Sequence, residues 1–143
     1  MIFISHRQAD SDAASQLYKT LQGKGISAWL DVLDPSVKTS DEITEHIIAM
    51  LNRCTHVIVV FSANTVGSMW VPFELGAAYQ TNKGIGTWLI SNTVSLPEYL
   101  KAFPIMRSVT DLGAYLTEYQ SGTVKTAGAR GFIKAVERRM KSY

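Results

Sequence analysis

The sequence predicts an α/β fold, in which a parallel β-sheet is covered by helices on both faces. The first observation is a set of short apolar runs rich in β-branched residues, of which His56–Phe61 is the clearest. Such runs, bounded by polar residues, are typical of strands that are buried on both faces. The second observation is that longer segments with apolar residues at helical spacing lie between these runs. Strands that alternate with helices in this way pair in parallel, so the two observations together indicate a doubly wound sheet.

The chain opens with an apolar strand and an amphipathic helix. Ile2–Ile4 is the predicted first strand. The helix that follows is predicted to be capped by Asp10 or Ser11, because both side chains accept hydrogen bonds from free amides at a helix start. Gly23–Gly25 is expected to end it, since glycine adopts the backbone conformation of a helix terminus without strain.

A second strand and a second helix follow, with a polar loop between them. Ile26–Leu30 is the strand, and the loop runs from Asp31 to Ser40. Thr39 and Glu42 have the spacing of a capping box, which predicts the start of the second helix near residue 39.

The third strand leads into a helix that carries a notable acid. The strand is His56–Phe61, and Trp70–Pro72 begins the helix, because proline is well tolerated in a first helical turn. Glu74 is therefore placed in the first turn, just beyond the carboxyl end of a central strand. A carboxylate there either complements the helix dipole or serves a ligand in the adjacent crevice.

The remaining elements complete the alternation of strands and helices. The strands are predicted at residues 85–90 and, as a weak edge strand, at 105–109. Helices are expected at residues 96–103, 111–119 and 132–141, with Asp111 as the cap of the second of these.

Composition and size limit the classes of protein to consider. The chain has 143 residues, of which 46% are hydrophobic and 18% charged, so we expect one globular domain over residues 1–143. A net charge of +2 is too small to indicate nucleic-acid binding, and no apolar run is long enough to span a bilayer. No secretory signal follows Met1, and the single cysteine, Cys54, has no internal disulfide partner. We therefore expect a cytoplasmic protein that binds neither nucleic acid nor membrane.

Several common active-site motifs are missing from the sequence. The turn after the first strand lacks the G-x-G-x-x-G pattern of dinucleotide-binding folds, and no G-x-x-x-x-G-K-[ST] phosphate loop occurs. The three histidines are not at metal-ligand spacing to one another or to Cys54, so we expect no metal. Ser5 and Ser62 end strands but lie outside a G-x-S-x-G elbow, which favours hydrogen-bonding roles over nucleophilic ones.

Polar and aromatic residues are concentrated where the first three strands end. They are Ser5 and Arg7 after the first strand, Asp31 and Lys38 after the second, and Ser62, Trp70 and Glu74 after the third. In doubly wound sheets these loops converge on the crevice where ligands bind. A carboxylate among cations and an aromatic ring suits a substrate that is anionic at one end and develops positive charge at its reacting centre. Cleavage of an N-glycosidic bond fits this description, because a carboxylate stabilises its oxocarbenium-like transition state.

Three segments in the expected order resemble the Toll/interleukin-1 receptor (TIR) domain. They are Ile2–His6 (I-F-I-S-H), Ala28–Asp31 (A-W-L-D), and the stretch from Ser62 through Trp70 to Glu74. The resemblance extends over nearly the whole chain and implies a flavodoxin-like sheet of five parallel strands in the order 2-1-3-4-5. The spacing of Trp70 and Glu74 is similar to that of bacterial and plant TIR domains that cleave NAD+.

The resemblance also implies roles for individual residues. Glu74 would be the catalytic acid that contacts the ribose on the nicotinamide side, and Trp70 would shape the pocket around it. The loops after the first three strands would supply the other substrate-binding residues, which are Ser5, His6, Arg7, Asp31, Lys38 and Ser62. The loop after the second strand would also contact a neighbouring subunit in an active assembly.

The implied reaction is the release of nicotinamide from NAD+, which is then a substrate and not a resident cofactor. Attack by water gives ADP-ribose, attack by a group of the same molecule gives a cyclic isomer, and attack by a foreign base gives a conjugate. We expect such a product to be a nucleotide signal that a downstream effector senses, in bacterial antiphage defence. Two alternatives stay open. One is a TIR module that only assembles, and the other is a nucleoside deoxyribosyltransferase, which has a similar fold and also uses a glutamate.

Overall fold

Five parallel strands form one sheet at the centre of the molecule. The computed structural model describes residues 1–30 and 39–122, and in this part of the chain the strands lie in the order β2-β1-β3-β4-β5. Their bounds are Ile2–Ser5 (β1), Ala28–Leu30 (β2), His56–Phe61 (β3), Gly84–Leu89 (β4) and Ile105–Met106 (β5). The strand order and the parallel pairing confirm the predicted fold class.

Helices cover both faces of this sheet. Their bounds are Ser11–Gly23 (α1), Ser40–Asn52 (α2), Trp70–Gln80 (α3), Glu98–Lys101 (α4) and Val109–Ser121 (α5). α1 and α5 pack on one face, and α2, α3 and α4 pack on the other. Short 3-10 turns at Gln8–Asp10 and Ala63–Thr65 follow β1 and β3.

The central strand β3 contributes side chains to both layers of the core. All six of its residues are buried. Ile58 and Val60 belong to the core under α1 and α5, and Val57, Val59 and Phe61 belong to the core on the opposite face. Burial of each such side chain stabilises the fold by about 1.5–3 kcal/mol. The carboxyl end of β3 is thus a firmly held part of the molecule.

The start of α5 differs from the sequence prediction. The helix begins at Val109 because Ser108 is its cap, with Oγ accepting a hydrogen bond from the Asp111 backbone N–H at 3.1 Å. The Asp111 carboxylate accepts instead from the Arg107 backbone N–H at 2.8 Å. The prediction of Asp111 as the cap is therefore wrong, and the early helix start limits β5 to Ile105–Met106.

Two predicted segments cannot be compared with the structure. The final helix, at residues 132–141, and residues 31–38 of the loop after β2 lie outside the described residues.

The capping box at the start of α2 gives a first testable prediction. Thr39 Oγ1 accepts from the Glu42 backbone N–H at 3.3 Å, and Glu42 Oε2 accepts from the Thr39 backbone N–H at 3.0 Å. We expect Thr39→Ala to lower the free energy of unfolding by about 1 kcal/mol, because it leaves a helix-start amide without its partner. Urea unfolding measures this change. Thr20→Ala, at an exposed position inside α1, is the control and should stay within about 0.5 kcal/mol of wild type. Equal losses in the two variants would contradict the prediction.

Candidate active site

The carboxyl ends of β1 and β3 lie side by side in the middle of the sheet. From these two strands the order continues in opposite directions, to β2 on one side and to β4 on the other. In open α/β sheets such a reversal opens a crevice in which ligands bind. Ser5 is the last residue of β1 and Ser62 directly follows β3, so both residues border this crevice.

Glu74 reaches the crevice from α3, the helix that follows β3. Val71, Leu75 and Ala78 form the buried stripe of this helix, and Glu74 lies on the same face with only 5% of its surface exposed. Ser5 Oγ donates a hydrogen bond to Glu74 Oε2 at 2.5 Å, across 69 positions of sequence. Burial of a carboxylate is costly unless it is hydrogen-bonded, and a hydroxyl–carboxylate bond is among the stronger kinds. The fold therefore holds an acidic group in a defined orientation at the carboxyl end of the central strands.

The position of Glu74 within α3 corrects one sequence expectation. The sequence places Glu74 in the first helical turn, but α3 begins at Trp70 and its first turn contains no acidic residue. The favourable interaction of a carboxylate with the helix dipole falls off beyond that first turn. Complementing the dipole thus accounts for little of why an acid occupies this buried position.

An exposed apolar surface lies at the start of α3, beside the crevice. Trp70 and Phe73 are 43% and 41% exposed, and their rings meet edge to face with centroids 5.8 Å apart. Val66 and Met69, which precede Trp70 in the chain, are also exposed. Trp70 is consequently a surface residue one helical turn before Glu74 and not a part of the core.

The loop after β1 places His6 and Arg7 next to Ser5. His6 is half-buried, and its Nδ1 has no hydrogen-bond partner among the described residues. Arg7 is exposed and donates from one Nη to the Asn64 backbone carbonyl at 3.0 Å. Arg7 thereby links the loop after β1 to the loop after β3.

Asp10 makes a second link between these loops. Its carboxylate, 6% exposed, accepts from Ser62 Oγ at 2.7 Å and from Asn64 Nδ2 at 3.0 Å. Ser62 Oγ also accepts from the Asn64 backbone N–H at 3.0 Å, which caps the 3-10 turn after β3. The predicted cap position of α1 is confirmed at Asp10, but the Asp10 side chain makes no hydrogen bond to the helix, so the expected capping bond is not formed.

The structure brings together some of the predicted site residues and separates others. Ser5 is hydrogen-bonded to Glu74. Arg7 and Ser62 take part in the links between the two loops, and Trp70 lies on the exposed rim of the crevice. Asp31 and Lys38 lie outside the described residues, so their assignment stays a prediction. Asp10 and Asn64 were missed, because an aspartate before a helix is so often its cap that the sequence offers no signal for another role.

The described residues hold no cluster of three or more His, Cys, Asp or Glu side chains suited to a metal ion. A cavity of about 210 Å³ lies between α3, α4 and Ile85, but its lining is almost entirely apolar and Glu74 is not part of it. In residues 1–30 and 39–122, no helix has the length and apolar character needed to cross a membrane. Among the buried polar residues of the described chain, Ser5, Asp10, Ser62 and Glu74 lie together at the crevice.

His6 gives a prediction about pH. Burial lowers the pKa of its imidazole below the usual 6.5, although the Ile4 backbone and the Asp10 charge act in the opposite direction. The folded state then binds fewer protons than the unfolded state, so stability is lost as the pH falls below about 6.5. We expect His6→Gln to make the fall in unfolding free energy shallower on this acid side. Urea unfolding at about pH 5 to 8 measures both slopes, and an unchanged slope would contradict the prediction.

Comparison with known proteins gives a consistent result at the level of the family. A family model for the TIR domain matches residues 2–110, which include the whole crevice. No curated protein matches the chain.

Two solved structures are similar in fold. The TIR domain of the Toll-related receptor TRR-2 from Hydra magnipapillata has a TM-score of 0.66 and 14% identity, and the match covers 85% of this chain and 96% of that one. The CMP N-glycosidase BcmB from Clostridium botulinum has a TM-score of 0.55 and 18% identity, with 82% and 98% covered. At such low identities the likeness concerns the fold alone.

Proposed function

We propose, from the premise that this chain belongs to the TIR domain family, that it cleaves the bond between nicotinamide and ribose in NAD+. The proposed site is the crevice between β1 and β3, and the catalytic role falls to Glu74. The observation that carries the proposal is the buried Glu74 carboxylate, which Ser5 Oγ orients at the ligand-binding edge of the sheet. Since a buried acid costs stability, its presence there is best explained by a chemical use.

Glu74 acts, in this proposal, by stabilising positive charge on the ribose. Nicotinamide leaves NAD+ as a neutral ring with both electrons of the C–N bond, and the ribose becomes oxocarbenium-like. Because this leaving group needs no proton, the carboxylate serves as a fixed negative charge beside the cation. Attack by water, with loss of one proton, gives ADP-ribose. Attack by a nitrogen or hydroxyl of the same nucleotide gives a cyclic isomer.

The neighbouring residues suit the other parts of NAD+. The Arg7 guanidinium uses one donor on Asn64, and its remaining donors match the geometry of phosphate oxygens. The exposed Trp70 ring offers an apolar face on which a flat heterocycle can stack. His6 borders the same crevice. Ser62 also borders it, and its hydroxyl is held by the hydrogen bond that it donates to Asp10. Asp31 and Lys38 complete the proposed set from the loop after β2.

A nucleotide N-glycosidase or a nucleoside deoxyribosyltransferase is the second candidate. The observation that favours it is the shared fold of BcmB, which is a CMP N-glycosidase. In each of these reactions a base leaves the anomeric carbon of a sugar, so a carboxylate in the position of Glu74 would serve equally well. The candidates differ in the base and in the number of phosphates that the site must hold.

The remaining alternative is a TIR module that assembles without catalysis. Such a module would self-associate through the loop after β2.

We propose the same self-association for the enzyme, with a neighbouring subunit completing the active site. If a neighbour completes the site, the specific activity rises with protein concentration. The product would act as a nucleotide signal for a downstream effector in bacterial antiphage defence.

Product analysis separates these candidates. The purified protein is incubated at high concentration with NAD+, CMP or a deoxynucleoside in separate reactions, with and without a crowding agent. Release of nicotinamide together with ADP-ribose or a cyclic isomer, identified by mass, would support the proposed function. Release of free cytosine or base exchange would favour the second candidate. No turnover of any substrate under crowding would favour the assembly module.

A further inference from the structure

We propose that Asp10 is a positioning residue, which ties the loop after β1 to the loop after β3 and so keeps the Ser5 hydroxyl against Glu74. The inference deepens the proposed function, and it rests on that function only in treating Glu74 as the catalytic group. Asp10 itself touches neither the substrate nor the reacting atoms in this proposal.

The first step is that the Asp10 side chain does not cap the helix that it precedes, α1. An aspartate at a helix cap normally accepts from an amide of the first turn, which stabilises the helix by about 1 kcal/mol. Asp10 stands at the cap position of α1 but makes no such side-chain bond. Both of its oxygens are used across 52 and 54 positions of sequence, by Ser62 Oγ and Asn64 Nδ2. Its carboxylate thus serves the contact between two loops and not its own helix.

The second step is that the partners of Asp10 are themselves held in place. Ser62 Oγ accepts from the Asn64 backbone N–H, and the Ser62 backbone N–H donates to Thr65 Oγ1 at 3.0 Å. Arg7 donates to the Asn64 carbonyl from the other loop. Asn64 is therefore bound from the loop after β1 by both Arg7 and Asp10, which fixes the turn that leads into α3.

The third step connects the Asp10 bonds to the hydrogen bond between Ser5 and Glu74. Backbone pairing between β1 and β3 ends at Ser5 and Val59. Beyond that point side chains join the two β-α units, with Asp10 binding Ser62 and Asn64, Arg7 binding the Asn64 carbonyl, and Ser5 binding Glu74. Loss of the Asp10 bonds would leave only the exposed Arg7 contact beside the Ser5–Glu74 bond, so the two loops could shift without breaking the sheet. A hydrogen bond such as that of Ser5 to Glu74 weakens when its donor and acceptor move out of line.

The test compares Asp10→Ala and Asp10→Asn with Asp12→Ala in the full chain. Asp12 is an exposed aspartate in the first turn of α1, so Asp12→Ala is a matched control for loss of one negative charge at this helix end. The reporter is the ¹³C NMR shift of the Glu74 side-chain carboxyl in the absence of substrate, because this shift responds to the Ser5 bond and needs no turnover.

We expect Asp10→Ala to move the Glu74 signal, and Asp12→Ala to leave it in place. Asp10→Asn should stay close to wild type, since its amide can accept from Asn64 Nδ2 and donate to Ser62 Oγ. In the turnover assay, Asp10→Ala should lower kcat by about ten- to a hundredfold with little change in KM. Asp10→Asn should recover most of this loss.

An unchanged Glu74 signal in folded Asp10→Ala would overturn the inference, as would an equal shift in Asp12→Ala. Should Asp10→Ala fail to fold, the double variant Ser62→Ala/Asn64→Ala replaces it, because it removes both side-chain donors to Asp10. An unmoved Glu74 signal in that double variant would be equally decisive. An inactive wild-type protein would contradict the proposed function alone, since the NMR comparison does not depend on catalysis.

Discussion

Glu74→Gln is expected to lower NAD+ turnover by at least about a hundredfold while leaving the melting temperature nearly unchanged. Glutamine has the same shape as glutamate, and its amide oxygen can still accept the hydrogen bond from Ser5 Oγ. Packing on the buried face of α3 is therefore preserved. What the variant loses is the negative charge that would stabilise an oxocarbenium-like ribose, and such fixed electrostatic groups are often the largest single contribution to catalysis.

The measurement pairs nicotinamide release with thermal unfolding on the same preparation. Glu45→Gln, on the exposed surface of α2, is the control for removal of one carboxylate and should keep wild-type activity. A Glu74→Gln protein that turns over NAD+ like Glu45→Gln would remove Glu74 from the mechanism. A large drop in melting temperature instead would assign the buried carboxylate to the fold.

The sheet could be predicted from the sequence because its strands are defined by patterns that few other structures tolerate. β3 has the predicted bounds, His56–Phe61, since a run of β-branched residues buried on both faces has no stable alternative next to polar neighbours. The start of α2 also agrees, because Thr39 and Glu42 bind each other's backbone within one turn and need no distant partner. A reciprocal bond of this kind depends little on the rest of the fold, because both partners lie within one turn of chain.

The contacts of the candidate site could not be predicted, because they depend on which distant partners a polar side chain chooses. Ser5 and Glu74 were both named from the sequence, but the bond between them joins residues 69 positions apart. Asp10 and Ser108 show the same limit in opposite ways. The Asp10 side chain binds a neighbouring loop and not the helix that it precedes, and Ser108 makes the capping bond that was expected from Asp111. Small polar side chains have several nearly equal hydrogen-bonding options, and only the fold selects one.

A second large effect is expected at Gly84, the first residue of β4. A Cβ atom at this position would lie 2.3 Å from His56 Cδ2 and 2.8 Å from His56 Nε2. The imidazole has little room to move, because His56 is buried and packs edge-on against Tyr119 with ring centroids 4.6 Å apart. The backbone is held as well, since the Gly84 N–H donates to the Thr55 carbonyl at 3.1 Å. Glycine inside a strand is unfavourable by itself, and it is retained where another group approaches closely.

Gly84→Ala should therefore lower the free energy of unfolding by about 1–3 kcal/mol, which is the usual range for an overpacked core. Gly113→Ala is the matched control. It lies inside α5 with nothing within 4 Å of an added Cβ, so the same change should stabilise the protein by up to about 1 kcal/mol. Urea unfolding of Gly84→Ala in the wild-type and His56→Ala backgrounds tests the cause. If the imidazole is what the methyl group meets, most of the penalty disappears in the His56→Ala background. An equal penalty in both backgrounds would place the strain in the backbone of β4 and not in this ring contact.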